Sequence, residues 1–433
     1  MLGGAYAGSL LLTFKCSYDN AANVDLTLTR AAFDSVSALN RNGRAVASAI
    51  ETLYDEGGGE GDAILAAGTG DAARMIGDLF LINDAADYNI ALNEVSGSAY
   101  ANYLQSFGSL GVHYNDLLDH STDCEVPAGA GSALKCRSGP IHVWGTLDVQ
   151  SRRADGDIEA GRMRSKRFAG LLGVDTGVGD AAMLGVSVGS VTNHTRDRQF
   201  GDSVQADGVQ VGAYGTYDPG AFFAKGITTY SQYDGDSTRS IDFTPLGGTF
   251  VAAPKGDPDV HLFTASLRAG LRLPISGSLA TPYLNLDYTH ASLKGFHEAS
   301  GNGAELTLES SKSQQTFLTG GVKWATQIGD VVPEVNVGYR HRFGDSRSTF
   351  SAELLDNASG AFDIVSSSQK RGSFLFGLSA GGELGPVDLR IAVEGEFNGD
   401  VTSHSANLKL VLPLGGRVAP PPAEHMSAVH KPN

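Results

Sequence analysis

The sequence predicts an all-β membrane protein: a closed antiparallel barrel of twelve strands, preceded by a helical segment and a short β end-piece. Three observations predict it. From Ile141 to Leu414, apolar residues alternate with small, polar or charged ones, the period of a strand. The alternating segments are about ten residues long, which matches a tilted strand crossing a bilayer. Tight glycine and aspartate turns and long polar loops separate them, an asymmetry typical of membrane barrels. A soluble sandwich alternates in the same way with its apolar face inward, so periodicity alone does not separate the two. Length, turn asymmetry and aromatics near segment ends (Trp144, Tyr217, Tyr233, Tyr283, Tyr339 and Phe343) favour the barrel.

Composition removes other classes. The 433 residues contain no run of 18 apolar residues, so no helix spans a membrane. Glycine contributes 56 residues without a three-residue period, which excludes collagen, and 41% hydrophobic residues exclude disorder for most of the length. A net charge of −16 argues against nucleic-acid binding, which needs basic surface to displace counterions.

In chain order, residues 1–30 read as a β end-piece. Val24, Leu26 and Leu28 alternate with Asp25, Thr27 and Thr29 as in a half-buried strand, after a turn at Asp19 to Asn23. The start, MLGGAYAGSLLLTFK, has no basic residue before its apolar core. It reads as strand rather than export signal; for an exported protein, either this chain is the C-terminal part of something longer or its start is wrongly assigned. Residues 31–138 change to helical spacing. Ala45, Val46, Ala49, Ile50 and Leu53 form one set, ended by Gly57-Gly58-Gly59, and Ala72, Met75, Ile76, Leu79 and Phe80 form a second. A third stretch, Ala91 to Leu118, is rich in small residues and interrupted by Gly97, Gly108 and Gly111. The apolar faces are thin, and a free-standing helical set of this size would expose much of its surface. Cys124 and Cys136 bracket a small-residue loop and are spaced either for a disulfide in an oxidising compartment or as two free thiols; Cys16 is left over.

Residues 139–414 supply the barrel. Twelve segments are expected, at 141–152, 165–178, 181–194, 205–218, 221–234, 259–274, 279–293, 305–318, 319–342, 346–378, 379–397 and 401–414. Tight turns are expected at Gly179-Asp180, Asp218-Pro219-Gly220, Gly329-Asp330, Gly385-Pro386 and Gly399-Asp400, and long loops at Thr195 to Ser203, Asp234 to Asp257 and Phe296 to Ala304. Closure follows because lipid cannot satisfy a free strand edge. Residues 415–433 form a Pro-rich tail expected to be flexible.

A β end-piece, a helical linker and a twelve-strand barrel resemble the translocator unit of an autotransporter, the type V secretion family. Asn20 to Arg30 resembles the strand leaving a secreted passenger. Leu92 to Tyr100, with Gly97 within it, is similar to the family's linker helix. Pro282-Tyr283 through Phe296-His297-Glu298, and Pro333 to Asp345, resemble two later barrel strands. The order of these pieces over almost the whole chain is the signal. The resemblance implies a barrel in the bacterial outer membrane, with the segment near Ala91 to His120 lying in the lumen between periplasm and surface. It implies outer-membrane lipid, the barrel assembly machinery and the chain's own passenger as partners, and a monomeric barrel. Expected lumen-lining residues are Asn336, Arg340, Arg390, Glu394, Glu396 and Lys409; charge there faces water or the helix rather than lipid. Two departures stand out: the last strand ends at Leu414 rather than on a chain-terminal aromatic, and at most thirty residues precede the helical zone, so a largely missing passenger is expected.

Nothing points to catalysis, a cofactor or a metal. There is no H-E-x-x-H and no cysteine-histidine cluster. Gly185-Val186-Ser187-Val188-Gly189 fits a nucleophile-elbow pattern literally, but it lies inside an alternating strand, with Ser187 expected to face the lumen. Some family members cut their linker through a cyclising asparagine; Asn115-Asp116 and Asn83-Asp84 occur here, but no adjacent asparagine pair. The alternative function is a porin-like barrel without secreted cargo.

Overall fold

A computed structural model describes residues 9–18, 24–56, 71–122, 141–179, 181–246, 248–354, 360–385 and 387–414. The turn at Asp19 to Asn23, the Gly57-Gly58-Gly59 stop, Cys124, Cys136 and the tail lie outside the described residues. Twelve long strands close into an antiparallel barrel. They are β3 (Ile141–Ala154), β4 (Met163–Val178), β5 (Ala182–Asp197), β6 (Ser203–Tyr217), β7 (Phe222–Thr238), β8 (Val260–Leu271), β9 (Ser278–Leu293), β10 (Ser311–Thr326), β11 (Val331–Phe343), β12 (Gly372–Leu384), β13 (Val387–Phe397) and β14 (Val401–Leu414). Each pairs with its neighbour in sequence, and β14 pairs with β3 from Leu414↔Ile141 to Val401↔Ala154, which seals the sheet. Two strands precede the barrel, β1 (Leu12–Tyr18) and β2 (Val24–Arg30), paired as a hairpin.

The alternation places apolar side chains outside. Leu172, Leu184 and Leu284 are 57–63% exposed, while the inward positions between the outward ones are buried, with polar and charged residues such as Ser187, Asn285 and Asp287 beside apolar ones such as Leu171 and Met183. On β4 the outward run from Phe168 to Val178 stands roughly 25 Å tall at about 3.3 Å per residue and a tilt near 40°, the height of a lipid-facing band. One rim carries short turns, where Gly179, Gly220 and Gly329 take positive φ of 66°, 115° and 62° that only glycine adopts freely.

Several boundaries differ from the sequence reading. Strand β10 starts at Ser311, not 305, because Leu306–Leu308 is a separate short strand. The segment expected at 346–378 holds two such strands, Thr349–Leu354 and Phe362–Val365, before β12 begins at Gly372. Thr195 lies inside β5, and β7 runs on to Thr238. The turn at Gly399-Asp400 is short yet sits on the long-loop rim, where Asp400 accepts from the Asp155 and Lys370 N–H groups. Of the six aromatics expected at a lipid interface, Tyr217, Tyr339 and Phe343 face outward, but Trp144, Tyr233 and Tyr283 are buried inside. Trp144 donates to Tyr214 Oη at 2.6 Å, Tyr233 packs on Phe107, and Tyr283 donates to Asn336 at 3.0 Å. A one-residue step reverses the face, and aromatic identity does not report that step.

The long loops and the N-terminal helices build a cap together. Phe296–His297, Leu306–Leu308, Thr349–Leu354 and Phe362–Val365 form a four-stranded sheet, and Ile241–Phe243 pairs with Phe250–Ala252. Helices α1 (Arg41–Glu56), α2 (Asp71–Phe80) and α3 (Ala85–Ser96) pack onto these elements. The thin apolar faces of the helices are therefore sufficient: Val46, Ile50, Met75, Leu79 and Leu92 share one core with Leu306, Phe350 and Ile364. Asn42 extends the sheet edge, donating to the Val365 carbonyl at 2.8 Å and accepting its N–H at 2.9 Å. Asp84 caps α3 by accepting the Ala86 and Asp87 N–H groups. Strand β2 was expected to be half-buried, but its side chains are exposed on both faces, because no second layer covers the hairpin among the described residues.

Burial in the cap pushes two acids up to about 7: Glu94, which accepts the Asp242 N–H, and Asp202, which accepts the Ser240 N–H. Undocked, they titrate near 4.5 and 3.8. Between those values and about 7 the docked state binds more protons, so docking weakens as pH rises. Burial alone would also raise Glu51 and Asp157, but bonds from Arg30 and Phe33 N–H, and from Ser368 N–H, Glu159 N–H and Arg347, bring them below the usual range. Their contribution is lost only as pH falls through those lower values. Protection factors of the α1–α3 amides, which correct exchange for its intrinsic base catalysis, are therefore expected to be higher at pH 5 than at pH 8. Lower protection at pH 5 would refute the assignment.

Candidate functional site

The lumen holds one helix, α4 (Ser98–Thr122). At 1.5 Å per residue it is about 37 Å long, enough to cross the barrel. A helix suits this place because it satisfies its own backbone groups away from bulk water. The stretch expected as one helix from Ala91 to Leu118 is two helices broken at Gly97, whose φ of 69° caps α3. Leu92 therefore belongs to α3 in the cap, Gly97 to the corner, and Tyr100 to the first turn of α4. Gly108 and Gly111 do not interrupt the helix. A Cβ on Gly111 would come within 2.7 Å of Thr264 and 2.9 Å of Thr289, and one on Gly108 would collide with the Gln315 amide. The small residues let the helix axis approach the wall at β8, β9 and β10.

Side chains of α4 pair with the inner wall all round the barrel through polar contacts. Asn115 donates to Asp287 at 3.1 Å and accepts from Thr264 Oγ1 at 2.7 Å. Gln105 offers its carbonyl to Gln315 at 3.2 Å. His113 meets Asp148 at 2.9 Å, with both side chains buried. Near the C-terminal end stand Asp116 and Asp119, an unfavourable location for negative charge beside a helix C-terminus. Wall cations offset this. Arg268 and Arg340 reach Asp116 at 2.9 and 2.7 Å; Lys225 reaches Asp119 at 3.2 Å and Lys323 at 3.8 Å; Arg268 also bonds Asp119. Lys409 donates to the His120 carbonyl at 2.9 Å. Replacing Asp116 with Ala leaves two guanidiniums short of a counter-charge. The loss is expected to be about 3–5 kcal/mol, read as a lower temperature for the heat-induced gel shift of the folded barrel. An unchanged temperature would show that the pairs are inert.

The residues singled out from sequence lie on β11, β13 and β14. Asn336, Arg340, Glu394 and Glu396 border a cavity of about 60 Å³ together with His113, Asp116 and His120. Arg340 joins Glu396 at 3.0 Å, Glu394 meets His120 at 3.3 Å, and Arg390 joins Glu334 at 2.7 Å. Ser187 is buried on the inner face of β5. Among the described residues no cluster of three metal-ligating side chains occurs.

At the long-loop rim a buried arginine holds the helix corner. Arg239, 1% exposed, donates twice to Glu298 at 2.7 and 2.6 Å. It also donates to the last carbonyls of α3, Glu94 and Val95, at 2.9 Å each, and to Ala304 at 2.6 Å. Tyr100 donates to the same Glu298 carboxylate at 2.8 Å. One ion pair thus ties both helices flanking Gly97 to the loops after β7 and β9. Sequence reasoning singled out neither Arg239, a loop residue without periodicity, nor Asp119 and Arg268, and it named Asp116 only beside Asn115 as a cleavage pair, not as an ion-pair partner. The polar faces of β7, β8 and β10 did carry a signal, since Lys225, Arg268 and Lys323 occupy inward positions there.

Residues 143–396 match the autotransporter β-domain family. The chain is similar in fold to the translocator domain of the autotransporter NalP from Neisseria meningitidis, with 13% identity, 73% of this chain and 99% of that one covered, and a TM-score of 0.58. It also aligns with the β domain of the Bordetella autotransporter BrkA (15% identity, 63% and 99% covered, TM-score 0.46). A third alignment is with the transport unit of the autotransporter AIDA-I from Escherichia coli (12% identity, 62% and 89% covered, TM-score 0.42). No curated protein matches the chain.

Proposed function

The chain belongs to the autotransporter family, and on that premise we propose that α4 is the trailing end of an exported segment, left across the lumen and anchored there. The protein is a translocator of the bacterial outer membrane that carries a passenger. One observation carries the finer reading: α4 begins at the long-loop rim, beside Arg239 and Glu298, and ends at the short-turn rim, beside Lys225 and Lys409. With long loops outside and short turns in the periplasm, everything before Ser98 then lies on the cell surface. In this reading residues 1–30 are the end of the passenger, 31–138 the linker, 139–414 the barrel and 415–433 the Pro-rich tail. Asn336, Arg340, Arg390, Glu394, Glu396 and Lys409 line the lumen around the helix. The barrel assembly machinery inserts the chain, which acts as a monomer and catalyses nothing itself.

The test is topological. An export signal and an epitope tag are placed before Gly3, and protease is added to intact cells. Loss of the tag with survival of the barrel is the expected result. A protected tag on a barrel correctly placed in the outer membrane would overturn the reading in favour of a cargo-free pore.

A further inference from the structure

The long-loop ends of β3, β4 and β5 carry an outward basic patch: Arg153, Arg162, Arg164, Lys166, Arg196 and Arg198. Pairing places Arg153 opposite Arg164, and Arg164 opposite Arg196, so three arginines form one row across three strands. One row nearer the membrane, Lys166 lies opposite His194. Like charges directly opposite each other destabilise a sheet, and the chain as a whole is acidic at −16. Asp155 answers part of the patch, meeting Arg153 and Arg162 at 3.2 Å each. Among the described residues no ion pair reaches Arg164, Lys166, Arg196 or Arg198. At this rim β7 presents Asp234 and Asp236, β11 and β12 present Phe343 and Phe374, and β10 presents the exposed Lys312; the cross-strand row of arginines is confined to β3, β4 and β5. Directly beneath it runs an exposed apolar strip: Phe168, Leu172 and Val174 on β4, and Leu184, Val186 and Val188 on β5.

We infer that this face of the barrel binds the phosphorylated headgroup of an outer-leaflet glycolipid, with the acyl chains lying down the apolar strip. Guanidinium groups match phosphate oxygens in paired hydrogen bonds. Neighbouring cross-strand arginines about 5 Å apart present several forks to one headgroup. The strip below distinguishes a lipid from free phosphate. The inference rests on the orientation above, in which the long-loop rim meets the outer leaflet.

The experiment uses the folded full chain in detergent and native mass spectrometry. The probes are diphosphorylated lipid A, the same lipid stripped of its phosphates, cardiolipin, and inorganic phosphate as competitor. Wild type is expected to retain lipid A at least tenfold better than the stripped lipid. The triple variant Arg164→Gln/Lys166→Gln/Arg196→Gln should lose at least tenfold, while Lys312→Gln, an exposed cation on β10, should lose nothing. Equal retention of the stripped lipid, or an unaffected triple variant that still shows the heat-dependent gel shift, overturns the inference. Displacement by millimolar inorganic phosphate overturns its lipid part. Preference for cardiolipin assigns the patch to the inner leaflet and overturns it too; the surface protease test then shows whether the orientation itself has failed. Should the triple variant not fold, the wild-type comparison of the two lipid A forms decides alone.

Discussion

Deleting residues 1–122 is expected to leave the twelve-strand barrel closed and to raise its single-channel conductance at least about tenfold, since a helix some 10 Å across no longer fills the lumen. The closure holds because strand pairing, including β14 with β3, involves no residue before Ile141. In the full chain, cavities of about 60, 30 and 10 Å³ border the helix among the described residues, each with room for at most a few waters. The inner wall is wet enough to conduct once vacated: Lys225, Arg268, Lys323, Arg340 and Lys409 all face inward and lose the helix groups they bond. Planar-bilayer recordings of both proteins supply the measurement. Equal conductance would mean that loops or side chains, rather than α4, close the pore.

The second large effect is expected at the cap. Arg239→Met removes a bidentate pair and three bonds to carbonyls, and leaves the Glu298 carboxylate buried without its cation. The expected cost is about 3–5 kcal/mol, concentrated where α3 and α4 meet the loops. Limited proteolysis should then cut before Ser98 at least about a hundredfold faster if cleavage follows local opening, while the barrel fragment survives. Arg239→Met combined with Glu298→Leu should recover part of the loss, because no lone carboxylate is left in the core. A single variant as protease-resistant as wild type would show that apolar packing alone docks the cap.

The barrel was largely legible because period-two alternation and turn residues are local signals, and a strand crossing lipid must obey them along its whole length. The runs Leu184-Val186-Val188 and Val335-Val337-Tyr339 needed no tertiary information. The cap strands at 306–308, 349–354 and 362–365 were not legible. Each is too short to show a period, and each is held by packing against helices more than 200 residues earlier. The helix break is a similar case. Gly97, Gly108 and Gly111 look alike in sequence, yet one bends the chain and two admit the wall, and only the contacts with Thr264, Thr289 and Gln315 tell them apart.

The sequence by itself therefore determined the fold class and the strand number, because both follow from the bilayer acting on a local pattern. The tertiary structure decided which cations bind α4, how Arg239 and Glu298 lock the mouth, and where the arginine row lies. Those depend on register between strands and on pairs distant along the chain, and no local pattern encodes which residues closure brings face to face.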